Sequence, residues 1–188
     1  MKIDPNVYDG RPADLSGRTD REIACYDLLD SLGISYHRVD HEPADTIPDC
    51  KEVEKYLGIK ICKNLVLCNR QKTDFYLLLM DGDKPFHTRD LSKQIGSSRL
   101  SFAPPEAMEQ LLGVTPGSAT VLGLMNDRDR RVRLVLDSSV TCQDRFGCHP
   151  CINTSSLALS MADIRERFLP YLGVEPLLVD LPDDREEL

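Results

Sequence analysis

The chain has 188 residues, 41% of them hydrophobic, a net charge of −8 and seven cysteines; that length suits one domain with a sizeable core and leaves little room for a second. The apolar content and the lack of any low-complexity tract exclude a disordered chain. The acidic balance excludes a broad basic face of the kind that grips DNA, so an RNA partner has to be held by a few local contacts.

No apolar run reaches the length of a membrane span, and the opening Met1–Gly10 lacks the apolar core of a secretion signal. The sequence therefore points to a cytoplasmic protein with no membrane partner. Its irregularly spaced cysteines are expected as free thiols.

Residues 1–18 carry Pro5, Gly10, Pro12 and Gly17 among polar residues and read as an irregular arm. Thr19-Asp20-Arg21-Glu22 is a capping-box pattern, and Ile23, Tyr26, Leu28, Leu29 and Leu32 give the following helix an apolar face that Gly33 closes. Residues 34–40 are a short strand. A second helix opens at Pro48, with Asp49 as its cap, Glu52 at the reciprocal position and Gly58 at its end. The apolar runs 59–69 and 75–80, joined by a polar link, predict a hairpin.

Thr88 caps a short helix to Ile95, Arg99–Ala103 is extended, and Pro104-Pro105 opens a helix that Gly113 stops. The stretch Gly113–Asn126 then holds three glycines and a proline before a short apolar run. Such a loop can bring bare backbone N–H groups close to a ligand, although alone it reads as a plain connection. Thr120–Met125 and Val132–Asp137 read as strands, Gln143–Gly147 as a polar loop, and His149–Asn153 and Ser156–Leu159 as two more short strands. Ser160 begins a last helix that Pro170 ends or bends and Gly173 closes; the acidic tail after it is expected to be loose at 183–188. This mixture, without regular strand–helix alternation, predicts an α+β fold: a single domain with a curled mixed β-sheet surrounded by helices. Its expected limits are an arm at 1–18, the domain at 19–173 and a tail at 174–188.

Cys148-His149-Pro150-Cys151, with Cys142 upstream, invites a metal or redox reading. A second ligand pair at zinc spacing is missing around Cys62, Cys68, His37 and His41, and the residues after Cys151 read as strand rather than a helix N-terminus. No metal is therefore expected. Phosphate-loop, dinucleotide, zinc-protease and serine-hydrolase motifs are absent from the sequence. Lys63 stands out, flanked by Ile61 and Leu65 in an apolar strand. It is either an edge residue with its head in water or an ammonium aimed into a pocket.

Taken in order, Lys63-Asn64-Leu65, the loop Gly113–Ser118, the run Gly123–Asp127, and His149-Pro150 with Asn153-Thr154 resemble the YbaK/ProX family over about residues 20–172. These are free-standing relatives of the editing domain of bacterial prolyl-tRNA synthetases, and the match is to the branch that deacylates alanyl-tRNA(Pro). The chain departs from the pattern at Val121, where the family often has proline, at Cys148, where Phe is common, and at Cys151, which replaces an aliphatic residue.

The resemblance implies an aminoacyl-tRNA deacylase without a cofactor. Its partner is the acceptor end of tRNA(Pro), with prolyl-tRNA synthetase or an elongation factor as carrier. By the same resemblance Lys63 holds the terminal adenosine or carbonyl end and Asn64 supports it. Backbone around Gly117, Ser118, Ala119 and Thr120 receives the ester, His149 places the amino acid or water, Asn153 completes the wall, and the adenosine 2′-hydroxyl assists the water. A synthetase pocket made for proline rejects a smaller residue by only about 1–3 kcal/mol per missing methylene. A second pocket that hydrolyses the labile wrong ester solves that problem by positioning and oxyanion stabilisation alone. The alternatives are an editor of another small group (Cys, Ser) and a non-catalytic tRNA- or ligand-binding regulator.

Overall fold

The computed structural model describes residues 1–183; of the end expected to be loose, all but Asp183 lies outside them. Among the described residues the strands are β1 (Tyr8–Asp9), β2 (His37–Asp40), β3 (Cys62–Asn69), β4 (Phe75–Asp81), β5 (Leu100–Phe102), β6 (Val132–Asp137), β7 (Arg145–Cys148), β8 (Ser155–Ser160) and β9 (Leu177–Val179). They form an antiparallel sheet in the order β1-β2-β8-β7 and a mixed sheet in the order β5-β3-β4-β6-β9. The helices α1 (Asp20–Ser31), α2 (Ile47–Leu57), α3 (Thr88–Ile95), α4 (Pro105–Leu112) and α5 (Ser138–Thr141) lie between them.

The predicted hairpin is present, with Lys63 opposite Met80 and Leu67 opposite Tyr76. β4 is buried along its whole length, which is why its sequence runs apolar without alternation. Phe75, Leu77 and Leu79 join one core with α1 and α4, while Tyr76, Leu78 and Met80 join a second with Leu91, Leu100 and Val179. On β3 the even positions Cys62, Val66 and Cys68 face the first core and Leu65 and Leu67 the second.

The expected curled sheet takes the form of two sheets that meet at one seam. Ile61 pairs with Gly147 in a parallel bridge, and the Gly147 N–H donates to the Lys60 carbonyl at 2.7 Å. A Cβ on Gly147 would stand 2.5 Å from Ile59 Cδ1 and 2.7 Å from Ile61 Cγ1, so only glycine lets the strands approach this closely. The seam sets the start of β3 against the end of β7.

Several local expectations are corrected. The cap of α2 is Thr46, not Asp49: the Thr46 hydroxyl accepts from the Asp49 N–H at 3.3 Å and the Asp49 carboxylate accepts from the Thr46 N–H at 3.2 Å. His87, not Thr88, precedes α3, without a side-chain cap. The run after Thr120 is a 3-10 helix, Val121–Asn126, because Gly123 packs against the last turn of α4 and Thr120 Oγ1 caps the Leu122 N–H. A short apolar run reads alike for a buried strand and a buried helical turn. Residues 145–148 are strand β7 rather than loop, with Phe146 and Cys148 buried, and His149–Asn153 is a turn in which Cys151 adopts φ +60°.

Pro170 does not end the last helix. α6 (Met161–Asp163) passes through a π-helical turn, Ile164–Phe168, into α7 (Leu169–Leu172), and this widened turn shifts the bonding register just before the proline. The segment expected as a tail contributes β9, parallel to β6, with Val179 and Leu181 buried.

Candidate functional site

A cleft of about 360 Å³ opens at the seam, and Lys63, Asn64, Gly117, Ala119 and His149 line it together with Asp45. Residues distant in sequence converge here because β3 begins, β7 ends and the 113–120 loop passes at the same place.

Lys63 donates from Nζ to the Lys84 carbonyl at 2.8 Å. That carbonyl belongs to the turn after β4, which is anchored from behind: Lys84 Nζ meets Asp137 Oδ2 at 2.9 Å, with side chains only 4% and 0% exposed. Asp137 also accepts from the Leu181 N–H at 2.8 Å and from the Ser139 hydroxyl. A fully buried carboxylate with this many donors is a fixed point, so the turn and the Lys63 ammonium on it have a defined position. Asn64 donates to the Cys62 carbonyl at 2.9 Å, while its Oδ1 is buried and has no hydrogen-bond partner among the described residues. An unmet buried acceptor is costly, and a ligand donor is one way to meet it.

His149 is 5% exposed and its Nδ1 lies 3.0 Å from the Ser155 carbonyl, so Nδ1 carries the proton and Nε2 is the acceptor. Burial, with His41 adding to it, holds the imidazole down to about 4, neutral at physiological pH. His41 stands behind it: its Nδ1 donates to the Glu42 carbonyl at 2.8 Å, and its Nε2 accepts from Ser156 Oγ at 2.8 Å, an oxygen that lies 3.3 Å from His149 Nδ1. His41 and Ser156 thus fix the His149 tautomer.

The loop glycine Gly117 has φ +88°, and a Cβ there would lie 3.6 Å from both Asp45 Oδ1 and Asn153 Nδ2. Asn153 Nδ2 donates to Asp45 Oδ1 at 2.6 Å, so it braces a wall residue rather than forming the wall. Ser118 and Thr120 are also not on the wall. Ser118 Oγ accepts from the Thr115 N–H at 2.9 Å and donates to the Thr115 carbonyl at 3.0 Å, closing the loop upon itself. Thr120 caps the 3-10 helix whose first residue, the buried Val121, occupies a position where proline would fit.

The cleft rim pairs Lys51 with Asp83 at 2.7 Å and Lys60 with Asp81 at 3.0 Å. Lys84, Asp137 and Ser156 are not marked as site residues in the sequence, and His41 is weighed there only as a metal ligand; a Lys after a tight turn and an Asp closing an apolar strand are the signals for the first two.

Among the described residues no group of three or more His, Cys, Asp or Glu is placed to hold a metal ion, and no helix is long and apolar enough to cross a membrane. Cys148, beside His149, is a poor nucleophile, since burial pushes its thiol up to about 12. Cys151 contacts Cys25, with the sulfurs 3.5 Å apart.

A cleft with a fixed ammonium, a neutral imidazole, an amide and a glycine loop can bind an ester carbonyl and place a water beside it. Comparison with known proteins points the same way. The family model for the aminoacyl-tRNA editing domain matches residues 41–166, a span that takes in every wall residue named above. The prolyl-tRNA editing protein ProX of Acetoanaerobium sticklandii is 30% identical over 138 residues, covering 73% of this chain and 84% of that protein. The prolyl-tRNA synthetase associated domain-containing protein 1 of Mus musculus is 31% identical over 156 residues, 81% of this chain and 91% of that one. A solved structure described as a candidate trans-editing enzyme for prolyl tRNA synthetase shares the fold, with a TM-score of 0.64 over 87% of this chain and 97% of its own at 17% identity. With a family model spanning the cleft and relatives covering most of its length, the chain belongs to the aminoacyl-tRNA editing domain family.

Proposed function

We propose that this protein is a trans-editing hydrolase that removes the amino acid from mischarged tRNA(Pro), with alanine as the preferred group. The observation that carries the reading is the convergence of Lys63, Asn64, Gly117, Ala119 and His149 on one cleft. The ProX relative, a prolyl-tRNA editing protein by name, supports the tRNA. In this reading residues 19–173 carry the editing cleft, braced from beyond by β9 and Leu181, and prolyl-tRNA synthetase or an elongation factor delivers the RNA.

Each group has a chemical task. The Lys63 ammonium, held by the Lys84 carbonyl, binds the carbonyl or phosphate side of the terminal nucleotide. Asn64 Oδ1 receives a donor from the substrate. The loop backbone at Gly117 receives the ester, close enough only because a side chain is missing. A histidine held near 4 is too weak a base to deprotonate water efficiently at neutral pH, so His149 orients the water or amino acid through Nε2. The adenosine 2′-hydroxyl assists instead as a relay, taking the proton of the attacking water as it gives its own to the departing ester oxygen, so no protein base is needed. The aminoacyl ester is labile already, so positioning and electrostatics suffice.

The test is deacylation of Ala-, Cys- and Ser-tRNA(Pro) by wild type, Lys63→Ala and His149→Ala. Fastest loss of alanine, with both variants impaired, is the expected result. Unimpaired variants would remove the site assignment, and RNA binding without turnover of any ester would favour a regulatory module.

A further inference from the structure

The editing reading leaves open how a chain of net charge −8 holds RNA. On the same face of β3 as Lys63, two residues at a time, come Leu65 and Leu67, and Leu67 pairs with Phe102 of the edge strand β5. Four residues of strand span about 13 Å. Phe102 is 62% exposed although it lies beside the second core, and its ring meets Phe86 edge-on with centroids 6.4 Å apart. The two rings, Thr88, Arg89 and Pro182 line a groove of about 590 Å³. Phe86 lies two residues beyond Lys84, whose carbonyl holds Lys63, so groove and cleft share one connecting segment.

The stretch 84–102 that carries both rings runs against the charge of the chain, although Asp180 and Asp183 flank Pro182 on the groove wall. Residues 84–102 contain Lys84, Arg89, Lys93 and Arg99 against Asp90 alone. Lys84 is consumed by Asp137 and Arg89 Nε lies 3.7 Å from Asp90 Oδ1, but the Arg89 side chain is 93% exposed, and Lys93 and Arg99 are exposed as well. Exposed aromatic rings flanked by cations are how single-stranded nucleic acid is held without sequence readout: each base offers a face to stack, and the cations meet the phosphates.

We propose that the Phe86–Phe102 groove stacks the unpaired nucleobases that precede the terminal adenosine of the RNA substrate, with Arg89 and Arg99 on their phosphates. This rests on the editing reading for the identity of the RNA end. The terminal aminoacyl-adenosine occupies the cleft at Lys63, and the preceding nucleotides pass over the connecting segment 84–86 to the groove. An acidic protein thereby needs only a local cationic patch, and duplex recognition is left to other contacts.

Binding of an unacylated RNA minihelix ending in four unpaired nucleotides, followed by fluorescence anisotropy, tests this independently of hydrolysis. Phe102→Ala is expected to weaken binding about tenfold and Phe102→Trp to preserve it. A blunt minihelix should bind both variants alike. Arg89→Gln should reduce the slope of log affinity against log salt by about 0.7. Because Phe102 is largely exposed, these substitutions leave the core intact. Wild-type affinity in Phe102→Ala would overturn the proposal. So would self-association of the wild type that Phe102→Ala abolishes without changing RNA affinity, which would assign the groove to a second copy. Failure of the wild type to hydrolyse any ester, with the anisotropy pattern intact, would remove the editing reading alone.

Discussion

Two clusters of polar side chains in the molecule serve opposite ends. Where the arm meets α1 and β2, Arg18 donates to Glu22 at 2.7 Å and to both Asp40 oxygens at 3.0 and 2.6 Å. Arg38 meets Asp40 too, and the Tyr26 hydroxyl donates to Glu22 at 2.7 Å. Burial opposes ionisation of Asp40, yet Arg18 and Arg38 hold it at about 2. Every charge in this network is met by the protein, which makes it a lock. At the seam, by contrast, Asn64 Oδ1 has no partner among the described residues and His149 uses one ring nitrogen. A polar network closed upon itself stabilises the fold; one left incomplete at a cleft wall is available to a ligand.

The largest expected break in that contrast is Arg18→Met. It leaves the Glu22 carboxylate, whose side chain is 1% exposed, without its cation, and should cost about 3–5 kcal/mol in urea unfolding. Activity per folded molecule should be unchanged. The second is set by pH. The unfolded chain takes up a proton at an ordinary histidine value near 6.5 that folded His149 refuses until about 4. Its contribution is therefore complete above pH 6.5 and is lost as pH falls towards 4, by on the order of 3 kcal/mol. Denaturation at pH 7 and pH 4.5 should show the drop, and His149→Gln should flatten it. The third is Gly147→Ala at the seam, where the added carbon must displace Ile59 and Ile61. About 2 kcal/mol of stability should go, together with at least tenfold in activity, because the shift separates His149 from Lys63.

The sequence was most readable where one local force decides the structure. The αL glycines at 58, 96, 113 and 173 end their helices as expected, and the β3–β4 hairpin follows from two apolar runs and a polar link. It was least readable where distant packing decides. The helical turn at Val121–Asn126 exists because Gly123 lies against α4, and β9 exists because β6 has an open edge. Neither cause lies within the segment itself. The site divides in the same way. Lys63, Asn64, Gly117, Ala119 and His149 were marked by type and order, and they share a wall. The groups that fix them, Lys84 with Asp137 and His41 with Ser156, act through pairings 53 and 115 residues apart. No local pattern announces such pairs.

If the cleft at the seam, rather than the charged lock, performs the hydrolysis, only substitutions in the cleft abolish it. The most direct measurement compares deacylation of Ala-tRNA(Pro) by wild type, Lys63→Ala, His149→Ala and, at equal folded fraction, Arg18→Met. The two cleft variants should lose about 100-fold or more in kcat/KM while retaining their fold, and Arg18→Met should match the wild type. Full activity in Lys63→Ala and His149→Ala would contradict the account.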